Sequence, residues 1–188
     1  MIAALAFERA GLSVICADPV PFVTAPDELG ADLRTTAFLQ PAQRFLQSIG
    51  IWAKLAEFAT PLQVMRIVDA GGSAEPPVIR VLKEFQSSDI SDQPFGWNVP
   101  NLLSRREILK SINNASKLIF LPGVCTVSLF TRENEASIKL SNGQKIRARL
   151  VIAADGRGSF VRQNAKISVI TKRFDQKALA FSVTHPIP

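Results

Sequence analysis

Two carboxylates stand where apolar, β-rich runs end. Asp18 closes Leu12-Ser13-Val14-Ile15-Cys16-Ala17 ahead of Pro19. Asp155 follows Leu150-Val151-Ile152-Ala153-Ala154 and precedes Gly156-Arg157-Gly158-Ser159. In open α/β sheets ligands gather at the carboxyl ends of strands, and an acidic side chain there can accept hydrogen bonds from the paired hydroxyls of a ribose. A plain surface turn before a proline would account for Asp18 equally well. Around Asp155 the chemistry is richer. Gly156 allows close backbone approach, Ser159 marks a helix start whose free amides can hold phosphate oxygens, and Arg162 lies one turn in, able to grip an anion. An ordinary strand–turn–helix with Asp-Gly as its turn has the same local signature.

The elements that must position these groups follow from periodicity. Ile2, Leu5, Ala6 and Ala10 keep helical spacing, and Gly11 sits where a helix C-cap belongs. With the run ending at Asp18, this reads as the second half of a βαβ unit. Such a unit spans about 30 residues from its first strand to the acidic residue, so the first strand and its glycine loop are expected ahead of Met1. Residues 19–30 are loop-like, and 32–49 are expected to be helix stopped by Gly50. A further helical stretch over 51–58 is broken by Thr60-Pro61. A strand over 63–69 then turns at Gly71-Gly72, and 73–95 show no clear period.

Residues 96–99 read as extended. The segment 104–113 reads as a helix with Ser104 as N-cap and Glu107 completing a capping box. Strands are expected over 118–120 and 124–131, and a hairpin joins 136–140 to 145–150 through Ser141-Asn142-Gly143. A buried strand over 150–154, a helix near Ser159 and a last strand over 173–183 complete the pattern. Helices beside buried strands, with an antiparallel hairpin, indicate a mixed α/β fold.

Composition narrows the function classes. A chain of 188 residues, 47% apolar and 20% charged, supports one good-sized folded domain. Its net charge of +6 is spread among acidic residues, densest over 145–149 and 172–173. It forms no basic stripe with interleaved aromatics, so nucleic acid is not an expected partner. Cys16 and Cys125 have no metal-site spacing and read as buried, reduced thiols. No metal site, catalytic triad or paired carboxylates are visible, and His185, the single histidine, receives no role.

Ala154-Asp155-Gly156-Arg157-Gly158-Ser159-Phe160-Val161-Arg162 resembles the D-G-x-x-S-x-hydrophobic-R motif of flavoprotein aromatic hydroxylases, at every defined position. Residues 3–18 resemble the first helix and second strand of that family, with Asp18 where Glu is usual. Asp32-Leu33-Arg34-Thr35-Thr36-Ala37 resembles its D-x-R-x-x-A stretch, and residues 46–52 the helix end that follows. Gly96-Trp97-Asn98-Val99-Pro100-Asn101 resembles the G-x-x-V-E-N element of the ubiquinone-biosynthesis hydroxylases, with Pro100 in place of Glu. Phe174-Asp175-Gln176-Lys177-Ala178 resembles their Y-x-Q-x-A strand.

The resemblance implies an FAD-binding, Rossmann-like α/β domain of the aromatic hydroxylase type, lacking its first strand and carrying a small β-sheet layer. Residues 1–60 and 96–165 would form the FAD-binding part, and 61–95 and 166–188 the start of a substrate-side β layer. It implies cofactor-binding roles for Asp18 at the adenosine ribose, Arg34 along the FAD and Asn101 near the flavin. Asp155 would lie at the pyrophosphate and ribitol, with Gly156 permitting contact and Arg162 bracing the motif. Trp52 and Trp97 read as core. The implied reaction hydroxylates the ring of a polyprenylated phenol in ubiquinone biosynthesis, with FAD as cofactor, NAD(P)H as reductant and O2 as oxidant. The implied setting is cytoplasmic, with peripheral association at the inner face of the membrane or with a ubiquinone-synthesis complex. The G-x-G-x-x-G loop and the second, G-D-type flavin motif are not in the sequence, so a fragment inactive as it stands is expected. A reductase or halogenase of the same fold, or a residual domain acting through protein contacts, would share these features.

Overall fold

The computed structural model describes residues 1–20, 22–71, 78–175, 177 and 186. Its elements, in chain order, begin with α1 (Ile2–Arg9), β1 (Val14–Asp18), β2 (Thr35–Leu39), α2 (Gln40–Ser48) and α3 (Trp52–Leu55). They continue with β3 (Thr60–Leu62), β4 (Val64–Asp69), β5 (Val81–Gln86), β6 (Gly96–Pro100) and α4 (Asn101–Asn113). The last are β7 (Leu118–Pro122), β8 (Thr126–Thr131), β9 (Ala136–Leu140), β10 (Lys145–Ala148) and α5 (Phe160–Asn164). The fold is mixed α/β. Its described residues form two compact units, one from Met1–Phe22 and residues 115–175, the other from Val23–Asn114.

In the first unit α1 ends at a left-handed Gly11, φ +88°, and the chain turns directly into β1. β1 pairs in parallel with β7, from Val14 opposite Leu118 to Asp18 opposite Pro122. Leu5 and Ala4 on α1 and Leu118 on β7 are buried, which seats the helix on the pair. Cys16 and Cys125 are free and half-buried. β8, β9 and β10 form an antiparallel sheet with β9 central. Strict alternation along β9 buries Ala136, Ile138 and Leu140 and exposes Ser137 and Lys139. Together with Leu129 these make a small core. The expected hairpin is present, with Gly143 at φ +86° supplying the left-handed turn residue.

In the second unit β6 is flanked by β2 and β3, both antiparallel to it. Leu46, Ile51, Leu55, Val99, Ile108 and Ile112 are buried around it. Trp52 and Trp97 meet edge to face with centroids 5.4 Å apart, as core aromatics do. A separate β4–β5 hairpin pairs Val64 with Gln86 through Asp69 with Val81.

Several elements depart from the sequence reading. Residues 32–49 are not one helix: 35–39 form β2, and α2 begins only at Gln40. Pro41 sits in the first turn of α2, where a missing N–H costs nothing, and Thr35-Thr36 upstream are β-branched and pair with β6. α4 starts at Asn101 rather than after Ser104, because Pro100 ends β6 and enters the N-cap. Ser104 is therefore a buried helix residue, and its hydroxyl has no partner among the described residues. β5 lies in the stretch that showed no period. The helical stretch ends at Phe58, ahead of Thr60-Pro61 as expected, and those two residues open strand β3. Residues 150–154 pair with no strand among the described residues, and Leu150 and Ile152 are exposed. An apolar run becomes a strand only where a partner strand receives its backbone groups. Gly72, His185 and the greater part of the 173–183 strand lie outside the described residues.

Candidate functional site

The Asp155 loop is built around a helix start. The short helix α5 begins after Ser159, whose hydroxyl oxygen accepts from the Arg162 amide at 3.0 Å. The Ser159 hydroxyl in turn donates to Asp155 Oδ1, and the Val161 amide donates to Asp155 Oδ2 at 3.1 Å. Burial works against the charge on Asp155, but the Ser159 hydroxyl and the backbone amides outweigh it and hold its carboxyl below the ordinary range. Both carboxylate oxygens are thus committed within the loop, so Asp155 shapes the backbone that a ligand would meet. Arg162 closes the loop by donating from Nη2 to the Arg157 carbonyl at 2.8 Å. Gly156 has φ +81°, and a β-carbon there or at Gly158 would meet nothing within 4 Å, so the loop backbone faces open space.

Asp18 sits at the carboxyl end of β1, half-buried. Its Oδ1 accepts from the Val20 amide at 2.9 Å, and its backbone carbonyl accepts from the Val124 amide at 3.2 Å. Its second carboxylate oxygen has no hydrogen bond among the described residues. No hydrogen bond among them links Asp18 to the Asp155 loop.

In the second unit Arg34 and Asn101 are brought together. The β2–β6 ladder sets Thr35 opposite Pro100, and the Asn101 amide donates to the Arg34 carbonyl at 2.9 Å. Asp32, given no role by sequence reasoning, joins them. Its Oδ1 accepts from Arg34 Nε at 2.8 Å, and its Oδ2 from Arg34 Nη2 at 3.0 Å and Asn101 Nδ2 at 2.9 Å. The Thr36 hydroxyl donates to Asn101 Oδ1 at 2.5 Å. The Arg34 guanidinium beside it and the Asn101 amide hold the Asp32 carboxyl well below the usual carboxylate range, against the effect of burial. Asp32 is nearly buried, its side chain 13% exposed, while that of Arg34 is 69% exposed and turned to solvent. The Asp-x-Arg spacing was the available signal for Asp32.

Taken unit by unit, the groups of the first suit phosphates and ribose hydroxyls, and those of the second suit phosphate or carbonyl oxygens. An open glycine loop admits backbone contact, a strand-end carboxylate keeps a free acceptor, and an exposed guanidinium keeps free donors. Among the described residues there is no group of His, Cys, Asp and Glu able to hold a metal ion.

No protein-family model matches the chain. The chain is 32% identical over 185 residues to the ubiquinone hydroxylase UbiL of Rhodospirillum rubrum, covering 97% of this chain and 40% of that protein. It is 25% identical over 167 residues to the 3-demethoxyubiquinol 3-hydroxylase of Escherichia coli, covering 89% of this chain and 40% of that one. The chain thus spans about two fifths of the length of these relatives. Its fold matches the crystal structure of p-nitrophenol 4-monooxygenase PnpA from Pseudomonas putida with a TM-score of 0.69 at 14% identity, over 87% of this chain and 40% of the other. Over the stretch it spans, the chain is similar to ubiquinone-biosynthesis hydroxylases, and it has the fold of the aromatic-hydroxylase monooxygenases.

Proposed function

We propose that the protein to which this chain belongs hydroxylates the aromatic ring of a polyprenylated phenol in ubiquinone biosynthesis. NAD(P)H gives two electrons, one atom of O2 enters a ring C–H bond, and the other leaves as water. The observation that carries this reading is the 185-residue match to a ubiquinone hydroxylase, which runs through both units.

The redox chemistry, reduction and the activation of O2, is supplied by FAD when bound; the chain's part is binding and orientation. Asp18 accepts hydrogen bonds from the adenosine ribose, and the backbone at Gly156 approaches the pyrophosphate and ribitol. Asp155 and Arg162 fix the shape of that loop. Arg34 and Asn101 donate hydrogen bonds to oxygens of the cofactor. We assign residues 1–60 and 96–165 to the FAD-binding part, and 61–95 and 166–188 to the substrate side. A lipid-tailed substrate also favours work at the inner face of the membrane, alone or in a ubiquinone-synthesis complex, although no described helix is long and apolar enough to cross a bilayer.

The test supplies the full-length protein with FAD, NAD(P)H, isotopically labelled O2 and a polyprenylated phenol, and weighs the product. A phenol that gains one labelled oxygen supports the reading. NAD(P)H oxidation with no oxygen incorporated into any such phenol, or incorporation of halide instead, overturns it.

A further inference from the structure

Resting on the reading of Arg34 and Asn101 as cofactor contacts, we propose that Asp32 and Thr36 are positioning residues that orient this pair to present N–H donors, fitted to the phosphate or carbonyl oxygens of FAD. Failure of this proposal and failure of that reading give different results below.

An arginine side chain carries N–H donors and no acceptor, whereas an asparagine amide carries a carbonyl oxygen with two lone pairs and two donor hydrogens. An amide of this kind can present either end to a ligand unless its neighbours decide. Here they do. Ionised Asp32 can only accept, so it faces Asn101 Nδ2 at 2.9 Å and not Oδ1. The Thr36 hydroxyl occupies Oδ1 from the other side. One lone pair of Asn101 Oδ1 is thus engaged and the orientation of the amide is fixed, while one Nδ2 hydrogen stays free. On Arg34, Asp32 takes Nε and one Nη2 hydrogen in a paired arrangement. Nη1 and the second Nη2 hydrogen have no protein partner among the described residues. Every free position on Arg34 is a donor, and the Asn101 amide keeps one free N–H.

The charge balance points the same way. Asp32 offsets the positive charge of Arg34 across a 2.8 Å ion pair, so the group has no net charge. It selects by direction of N–H bonds rather than by general attraction to anions, and a paired guanidinium loses less freedom on binding. The acidic residue is the more buried member and the arginine the exposed one, as a support and a contact should be.

The experiment titrates flavin-free full-length protein with FAD and follows quenching of FAD fluorescence and the flavin absorbance spectrum. Asp32→Asn, whose amide can donate as well as accept, is expected to weaken FAD binding about tenfold and shift the bound-flavin spectrum. Thr36→Val keeps the shape, frees the amide to turn over, and is expected to weaken binding about threefold. In a background carrying Arg34→Ala and Asn101→Ala, adding Asp32→Asn is expected to change affinity by less than about twofold, because the groups it positions are gone. A role in folding alone would persist in that background. Should Asp32→Asn fail to fold, Thr36→Val alone and in the Asn101→Ala background decides the matter. If Arg34→Ala and Asn101→Ala weaken FAD binding while neither Asp32→Asn nor Thr36→Val does, the positioning role is wrong and the contacts stand. If Arg34→Ala and Asn101→Ala leave FAD binding unchanged, the reading beneath it fails.

Discussion

Gly96 lies so close to Phe38 across the β2–β6 ladder that a β-carbon on it would sit 2.5 Å from the Phe38 carbonyl oxygen and 2.9 Å from Leu39 Cα. The obstacle is backbone, which cannot swing aside. The ladder that begins at this contact ends at Thr35 opposite Pro100, where Arg34, Thr36 and Asn101 meet. Glycine at one end of the ladder thus serves the register of the Arg34–Asn101 group at the other.

Gly96→Ala is therefore expected to destabilise the protein by about 1–3 kcal/mol, the range for forcing extra volume into a packed site. Urea unfolding measures the loss. FAD affinity is expected to fall with it, since Asn101 follows β6 directly.

In the Asp155 loop, the Ser159 hydroxyl both caps α5 and donates to Asp155. Ser159→Ala is expected to cost about 1 kcal/mol, as loss of an N-cap side chain usually does. Ser159→Asp, which keeps a capping acceptor but sets a second carboxylate against Asp155, is expected to be worse than Ser159→Thr. Denaturant midpoints of the three variants give the order.

Asp18 was assigned to the adenosine ribose, and that assignment has a sharp consequence. Asp18→Ala is expected to weaken FAD binding about tenfold while leaving binding of FMN, which has no adenosine, unchanged. Parallel fluorescence titrations with the two flavins check it. Equal losses for both would place Asp18 elsewhere.

Much of this was legible in the sequence where local rules act alone. Gly11 after α1, Asp18 at the end of β1, the Asn142-Gly143 hairpin and the helix start at Ser159 all follow from residue types with fixed backbone needs. Where long-range pairing decides, the signal was too weak. Thr35-Thr36 became a strand because β6 lies beside it, 60 residues on in sequence, and Pro41 was the overlooked local mark of the true helix start. Pro100 similarly displaced Ser104 from the cap into the buried face of α4. Residues 150–154 carry a strand's composition and have no partner among the described residues. Of the candidate residues, the Arg34–Asn101 association came from the ladder, and Asp32 emerged only when its carboxylate was seen to hold both.

The same carboxylates set an acid dependence. Asp32 and Asp155 titrate below their ordinary values in the fold. The stability each contributes is therefore complete above the unfolded carboxylate pKa of about 4 and is lost as pH falls through the depressed folded value. Wild-type protein is expected to lose stability progressively below about pH 5, and Asp32→Asn to lose less over the same window. Urea midpoints taken across that window measure both slopes. A slope unchanged by the substitution would mean that the Asp32 carboxylate is not held by Arg34 and Asn101.

The most direct measurement is FAD binding by the full-length protein, read from fluorescence quenching against the same titration of Arg34→Ala. Saturable, stoichiometric binding that weakens about tenfold in the variant is the predicted result. FAD fluorescence that stays unchanged at saturating protein would contradict the account at its centre.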